Sequence, residues 1–373
     1  MRRIALIAKY SWAGISTSLI NTALFWAAKG YAVDIYLEQP DENKFPFPNV
    51  SGKNIRVIRT AITFSSLVDD VVFCQKYFDR RVIYQWVIGF DVEGLLRAGI
   101  CQLLCGGKVI YHSLEFYEPK HKTLKSSFKK ILEKYFSRKA AYVFTQDTNR
   151  VEFLEKNLNI QKEKFRLIYN SPSGEIIKAH ADYFRDKFNI SRESRIVLCV
   201  GSLMKETLVY EVVESVKYWD EKFVLVLHGW FSDKTVMEFV RQQQEKSPDK
   251  IFISDQLFDH WNKYIPFQSC DIGFVGFSSD TNNLKYAAGS AGKTFDFLRT
   301  GKPIVAFDSP GMMELIEGNG AGYVFSHVRE IASVLSKIDQ IYDSIHQNCF
   351  AAYNQYEFNG QYDKVFAALP CRE

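Results

Sequence analysis

The stretch Ala287–Ile316, AAGSAGKTFDFLRTGKPIVAFDSPGMMELI, gathers residue types that can hold a phosphate. A small-residue loop, Gly289-Ser290-Ala291-Gly292, runs into a helix opened by Lys293 and Thr294, with Asp296 expected in its first turn. Small residues let backbone N–H groups come close to an anion. The helix N-terminus adds about half a positive charge, and the lysine adds a full one. Asp296 is suited to accept hydrogen bonds from ribose hydroxyls. The segment therefore reads as a grip for a nucleoside diphosphate. Ala287–Thr294 also fits a loosened P-loop, with Ala in place of the first glycine. Against that reading, the nearest strand-like run, DIGFVGF, ends well before the loop. No second apolar strand ends in a magnesium-binding Asp either.

A second set of groups could move a proton. Glu115, in YHSLEFYEP, sits between aromatic residues that would raise its pKa toward the range useful to a general base. His112 is the alternative, either as the base or as a contact to a sugar. Each has a plainer reading, Glu115 as a helix cap and His112 as a core histidine. Asp91, in IGFDVEGLL, reads as a helix N-cap.

These groups must be positioned by the rest of the chain. In the first half, short apolar runs alternate with helical patterns: RIALIAKY, AVDIYLE, NIRVIR, RVIYQWVIG, KVIYHSL, AAYVFTQ and KFRLIYN. Ser16 and Thr17 cap the first helix, and Gly30 closes it. The pattern restarts after Pro172 with RIVLCVGSL, FVLVLHGW, KIFISDQ, DIGFVGF, PIVAF and AGYVF. Strands alternating with helices predict parallel α/β sheets, here in two Rossmann-like domains with their sheets facing a central cleft. The expected division is 1–172 and 173–350, with residues 351–373 crossing back to the first domain. Ligands of such sheets bind beyond the carboxyl ends of the strands. That rule adds Gly229, Gln256 and Phe258 as candidates for the base end of a nucleotide, and Tyr286 as a stacking partner.

With 373 residues, 47% hydrophobic and 24% charged, the chain is large enough for two cores and has the composition of a globular protein. No apolar run reaches the length of a membrane span, and the apolar part of MRRIALIAKYSWAG is too short for a signal peptide. The seven cysteines (74, 101, 105, 199, 270, 349 and 371) form no C-x-x-C pair, and the seven histidines are scattered. Reduced buried thiols in a cytoplasmic protein are expected, with no metal site and no cofactor.

Together these segments resemble the GT-B glycosyltransferases of the group 1, or family 4, type. The resemblance rests on the strand-loop start KYSWAGIST, on FRLIYNSP near the hinge, on VGSLMKE, on the D-I-G-F run and above all on SAGKTFDFLRTGKPIVAFDSPGMMELI. It implies that the second domain grips a nucleotide-sugar donor, which is a substrate rather than a cofactor, and that the first presents the acceptor. The implied donor contacts are Gly14 in the first loop, Ser202 and Lys205 after the first strand of the second half, and Ser290 through Thr294. Asp296 takes the place of the later of two glutamates common in retaining relatives, and the earlier place is Ala288. An Arg and a Lys of many relatives are replaced by Ser202 and Thr207, which leaves Lys205 and Lys293 as the cations. The missing glutamate and the presence of Glu115 favour inversion at the anomeric carbon, without a metal. The altered positions also leave open a catalytically silent subunit that activates a partner enzyme, or a nucleotide-sugar epimerase.

Charge points to the acceptor side. Residues 1–172 carry 26 Lys/Arg against 16 Asp/Glu, a net of +10, whereas the remainder has 21 against 27, a net of −6. Lys120–Lys139, KHKTLKSSFKKILEKYFSRK, holds eight Lys/Arg and one acid. Its residues Leu124, Phe128, Ile131, Leu132, Tyr135 and Phe136 follow helical spacing. Either this stripe faces the sheet, or it lies on an anionic membrane. The balance suggests a glycan or lipid-linked acceptor, membrane-bound or anionic, met at the inner face of the membrane; no nucleic acid partner is expected.

Overall fold

In the computed structural model, residues 2–38, 43–50, 54–60, 67–78, 81–119, 121, 123–260 and 262–369 are described. Lys120 and Lys122 of the basic stretch, and the tail with Cys371, lie outside them. The chain divides into two units, residues 1–169 with 358–373, and residues 170–357.

The first unit holds β1 (Arg3–Ala8), β2 (Ala32–Glu38), β3 (Ile55–Thr60), β4 (Trp86–Phe90), β5 (Lys108–His112), β6 (Tyr142–Thr145) and β7 (Phe165–Leu167). They form one parallel sheet in the order β3-β2-β1-β4-β5-β6-β7. β1 and β4 are buried along almost their whole length, as expected of strands covered on both faces. RVIYQWVIG enters the sheet only from Trp86. Ile83 before it is 78% exposed. Of the expected returning segment, residues 351–356 belong to helix Tyr342–Tyr356 of the second unit. The part that packs on the first is Phe358–Ala367, where the Trp26 indole donates to the Tyr362 hydroxyl at 3.2 Å and packs edge-on against Phe366.

The second unit holds β8 (Arg195–Leu203), β9 (Phe223–Phe231), β10 (Ile251–Ser254), β11 (Ile272–Val275), β12 (Ile304–Phe307) and β13 (Gly322–Phe325), parallel in the order β10-β9-β8-β11-β12-β13. Each sheet reverses its strand order once, between β1 and β4 and between β8 and β11. At such a point the loops leaving two neighbouring strands diverge to opposite faces and open a crevice at the strands' carboxyl ends.

The basic helix, Leu124–Lys139, starts at a capping box made by Thr123 and Ser126. Its inward face is mostly polar. Glu133 is buried, accepts the Tyr111 hydroxyl at 3.2 Å and pairs with Lys130 at 2.7 Å. Phe136 fills the space left by the absent side chain of Gly99. These anchors turn the apolar stripe outward: Leu124 is 93% exposed, Ile131 63%, Tyr135 51% and Phe128 49%. The sheet-facing alternative holds only for Phe136 and, in part, Leu132. No helix among the described residues is long and apolar enough to cross a membrane.

Candidate functional site

In the second unit, helix Gly292–Arg299 begins behind Ala291, which has no side chain able to cap it. The first N–H groups of a helix have no intrahelical partner, so an uncapped start suits an anion. The loop before it is held by Asn170, whose backbone N–H donates to the Gly289 carbonyl and whose Nδ2 donates to the Ser290 carbonyl, both at 2.9 Å. The sequence reading missed Asn170, although it lies in the FRLIYNSP run already singled out.

Lys293 is half-buried, with its Nζ 5.1 Å from the centre of the Phe277 ring. Burial lowers its pKa, offset in part by Cys199 of β8. Among the described residues no carboxylate lies within ion-pair distance of it. A desolvated ammonium without a counter-ion is costly, and a bound anion would remove that cost.

The loop after β8 joins this cluster. The Ser278 N–H donates to the Glu206 carbonyl at 2.8 Å, and Gly276 packs against Leu208. Lys205, at the start of the 3-10 turn Lys205–Thr207, is exposed and without an ion pair among the described residues. Ser202 bonds the Ser232 hydroxyl at 2.7 Å. Thr207 turns inward, its hydroxyl donating to the Ser202 carbonyl at 3.0 Å, which explains why a cation is absent there. Thr294 is fully buried, and its hydroxyl has no partner among the described residues.

Other candidates sit differently. Asp296 is the fifth helical residue rather than a first-turn one, and its carboxylate pairs with Lys263 at 3.2 Å. Gln256 accepts the Tyr183 hydroxyl at 3.0 Å, and Phe258 packs against Tyr183 and His228. Tyr286 is half-buried at the end of helix Asn282–Lys285. Gly229 has a packing reason to be glycine: a Cβ there would stand 1.9 Å from the Gly201 carbonyl oxygen on paired β8. Gly14 is likewise enclosed by the Phe45 and Pro46 carbonyls of its own unit.

In the first unit, a cavity of about 440 Å³ lies at the reversal of strand order between β1 and β4. Its floor is organised by Asp91. Gly89 and Gly94 let helix Asp91–Cys105 start in close contact with β4, and Asp91 takes φ +51, a left-handed conformation unusual for a residue with a side chain. Its carboxylate does not cap its own helix. One oxygen accepts the N–H groups of Leu114 and Glu115 at 2.7 and 2.8 Å, and the other accepts the Tyr10 hydroxyl at 2.7 Å. Burial, aided by the Glu115 charge, raises its pKa to about 7 against the pull of those three donors.

Glu115 itself is exposed at the cavity wall. Partial loss of water, with Glu93 nearby, raises its pKa, while Arg150 opposes the shift. His112 is different. It is fully buried at the end of β5 between Phe90 and Phe144, and burial lowers its pKa to about 3. Neither ring nitrogen has a partner among the described residues. As placed, it is a neutral core residue out of reach of a substrate hydroxyl.

No family model matches the sequence, and no curated protein matches it significantly. Solved structures do match. HepE of Anabaena in complex with UDP and glucose aligns with a TM-score of 0.74 at 14% identity, over 99% of this chain and 100% of that one. Sucrose-phosphate synthase of Thermosynechococcus elongatus aligns at 0.72 and 15%, with the same coverage. WaaG, a glycosyltransferase involved in lipopolysaccharide biosynthesis, aligns at 0.70 and 14%, again over 99% and 100%. The fold is that of the GT-B glycosyltransferases. Within this GT-B chain the two switch points carry unlike groups, cations and N–H donors in one unit and carboxylates in the other.

Proposed function

We propose that the protein is a glycosyltransferase that moves a sugar from a nucleoside-diphosphate donor to a hydroxyl of a glycan or lipid-linked acceptor. Lys293 carries this reading: a half-buried cation with no carboxylate partner among the described residues, in the first turn of an uncapped helix. The N–H groups of Gly292 and Lys293, with the Lys293 and Lys205 ammonium groups, would neutralise the charge that grows on the departing diphosphate; the Ala291 N–H is already given to the Ala287 carbonyl at 2.8 Å. Cations and N–H donors already in place suffice for this without a metal. HepE in complex with UDP-glucose supports a uridine diphosphate donor.

Glu115 would take the proton of the attacking hydroxyl, giving inversion at the anomeric carbon. A raised pKa favours this role, because a carboxylate of higher pKa is a stronger base and accepts the proton more readily. His112 is not assigned a part. The outward stripe Leu124, Phe128, Ile131 and Tyr135, flanked by Lys125, Lys134, Arg138 and Lys139, supports attachment to an anionic membrane surface, at its cytoplasmic face.

Thermal stabilisation by a panel of nucleoside diphosphates, in EDTA and with Lys293→Ala alongside, tests the donor reading. One diphosphate should stabilise the wild type selectively and not the variant. If no diphosphate stabilises the protein, the silent-subunit reading takes its place. Turnover is then followed as diphosphate release with and without acceptor.

A further inference from the structure

The first unit's cavity has walls of two kinds. Tyr10 and Trp12 stack with ring centres 4.3 Å apart and planes 16° apart; Phe116 and Tyr117 also line the cavity, but the Phe116 ring is packed by Arg150 and Phe153 and the Tyr117 ring by Lys129. The same lining holds four carboxylates, Glu38, Asp91, Glu93 and Glu115, against one ammonium, Lys9.

Two of the carboxylates are matched by cations of the same unit. Glu38 pairs with Lys9 at 3.3 Å and with Arg97, and Glu93 pairs with Lys129. Asp91 is held by a hydroxyl and two N–H groups, which are neutral donors. Glu115 has no ion pair within 4 Å among the described residues. Lys9 is already engaged, and Arg150, whose charge acts on both Asp91 and Glu115, is buried with its guanidinium over the Phe116 ring, so an anion entering the cavity would meet the Glu115 and Asp91 carboxylates before that cation. The basic charge of this half of the chain is concentrated instead on helix Leu124–Lys139, whose lysines do not line the cavity.

Aromatic faces beside unmatched carboxylates suit a sugar ring. The faces cover its C–H groups, and the carboxylates accept from its hydroxyls or pair with an amino group. The cavity volume falls in the range of small-molecule sites. We infer that this cavity takes a neutral or amino-substituted sugar and rejects acidic sugars and sugar phosphates. Its assignment as the acceptor site rests on the transferase reading; the sugar binding itself does not. This reverses the expectation, drawn from the net charge, of an anionic acceptor group: the lysines meet the membrane, and the carboxylates meet the sugar.

The test uses the full chain without nucleotide, and three probes sharing one ring: methyl glucoside, methyl glucosaminide and methyl glucuronide. Saturation-transfer NMR and titration calorimetry at pH 7.5 read their binding. The first two should bind, and the glucuronide should bind at least about tenfold more weakly, because like charges repel in a partly desolvated site. Trp12→Ala should weaken binding of the glucoside. Glu115→Gln, at an exposed position, should narrow the gap between glucoside and glucuronide even if Trp12→Ala fails to fold. Equal or tighter binding of the glucuronide, no binding of any probe, or a gap unchanged in Glu115→Gln would overturn the inference. None of these results depends on the nucleotide panel. Failure there with sugar binding intact would leave a sugar-binding protein without a donor, whereas failure here would leave the donor grip standing.

Discussion

Two crevices at equivalent points of two parallel sheets carry opposite chemistry. Between β8 and β11 the loops bring backbone N–H groups and two lysines without carboxylate partners among the described residues. At the point between β1 and β4 they bring Asp91 and Glu115 into one cavity with the stacked rings of Tyr10 and Trp12. The topology explains why each unit has a crevice and says nothing of its sign. That sign follows from the half-reaction proposed for each: stabilising a leaving diphosphate needs positive charge, and taking a proton from a hydroxyl needs a carboxylate.

The sharpest way to break this comparison is Glu115→Gln. The glutamine keeps the shape but cannot accept the proton, so kcat should fall by about 10²–10⁴ with diphosphate-induced stabilisation unchanged. A loss of nucleotide binding instead would mean that the division of labour is wrong. Lys293→Ala should do the converse. At a diphosphate concentration a hundred times the wild-type Kd, the stabilisation of roughly 2.7 kcal/mol should largely disappear in a thermal melt. The unliganded variant should melt no lower than wild type, because an unpaired, partly buried cation has been removed.

Asp91→Asn sharpens the contrast through pH. The native pKa of Asp91 is raised to about 7, so its protonated form favours the folded state. That contribution is complete below the unfolded value and is lost as the pH climbs through 7. Tyr10, Glu115, Glu93 and Arg150 face the same region and are retained in the variant. Urea denaturation of wild type should show stability declining between pH 5 and pH 8, and in Asp91→Asn that decline should shrink by about 2 kcal/mol. An identical decline in both proteins would show that Asp91 does not titrate there. The smallest effect is expected outside both crevices. Ile131→Glu should weaken partitioning onto vesicles rich in phosphatidylglycerol by about tenfold, roughly the worth of one buried aliphatic side chain, and leave nucleotide binding intact.

Much of the fold was legible because it is local. Buried parallel strands need uninterrupted apolar runs, and RIVLCVG, FVLVLHG and PIVAF announce themselves without reference to the rest of the chain. The loop-to-helix start carrying Lys293 was legible for the same reason, since loop, helix start and lysine lie within six residues. Gly14 and Gly229 have packing reasons to be glycine that the sequence alone does not separate from a ligand's approach. A glycine that lets another strand or loop approach looks, in sequence, like one that lets a ligand approach.

What the sequence determined by itself was the set of strands and helices, the doubly wound pattern and the small-residue loop that opens a helix with Lys293 in its first turn. Each depends on neighbours along the chain. Only the tertiary structure decided that Asp91 grips the Leu114–Glu115 backbone and the Tyr10 hydroxyl, that Asp296 pairs with Lys263, that His112 is sealed in the core, and that the stripe on Leu124–Lys139 faces outward. Those outcomes rest on contacts between residues 23 to 81 positions apart for Asp91 and 33 for Asp296, and on Phe136 entering the space beside Gly99. A side chain's chemistry is written in its type. Its charge state, its partner and the face it shows to water depend on which distant groups the fold brings beside it.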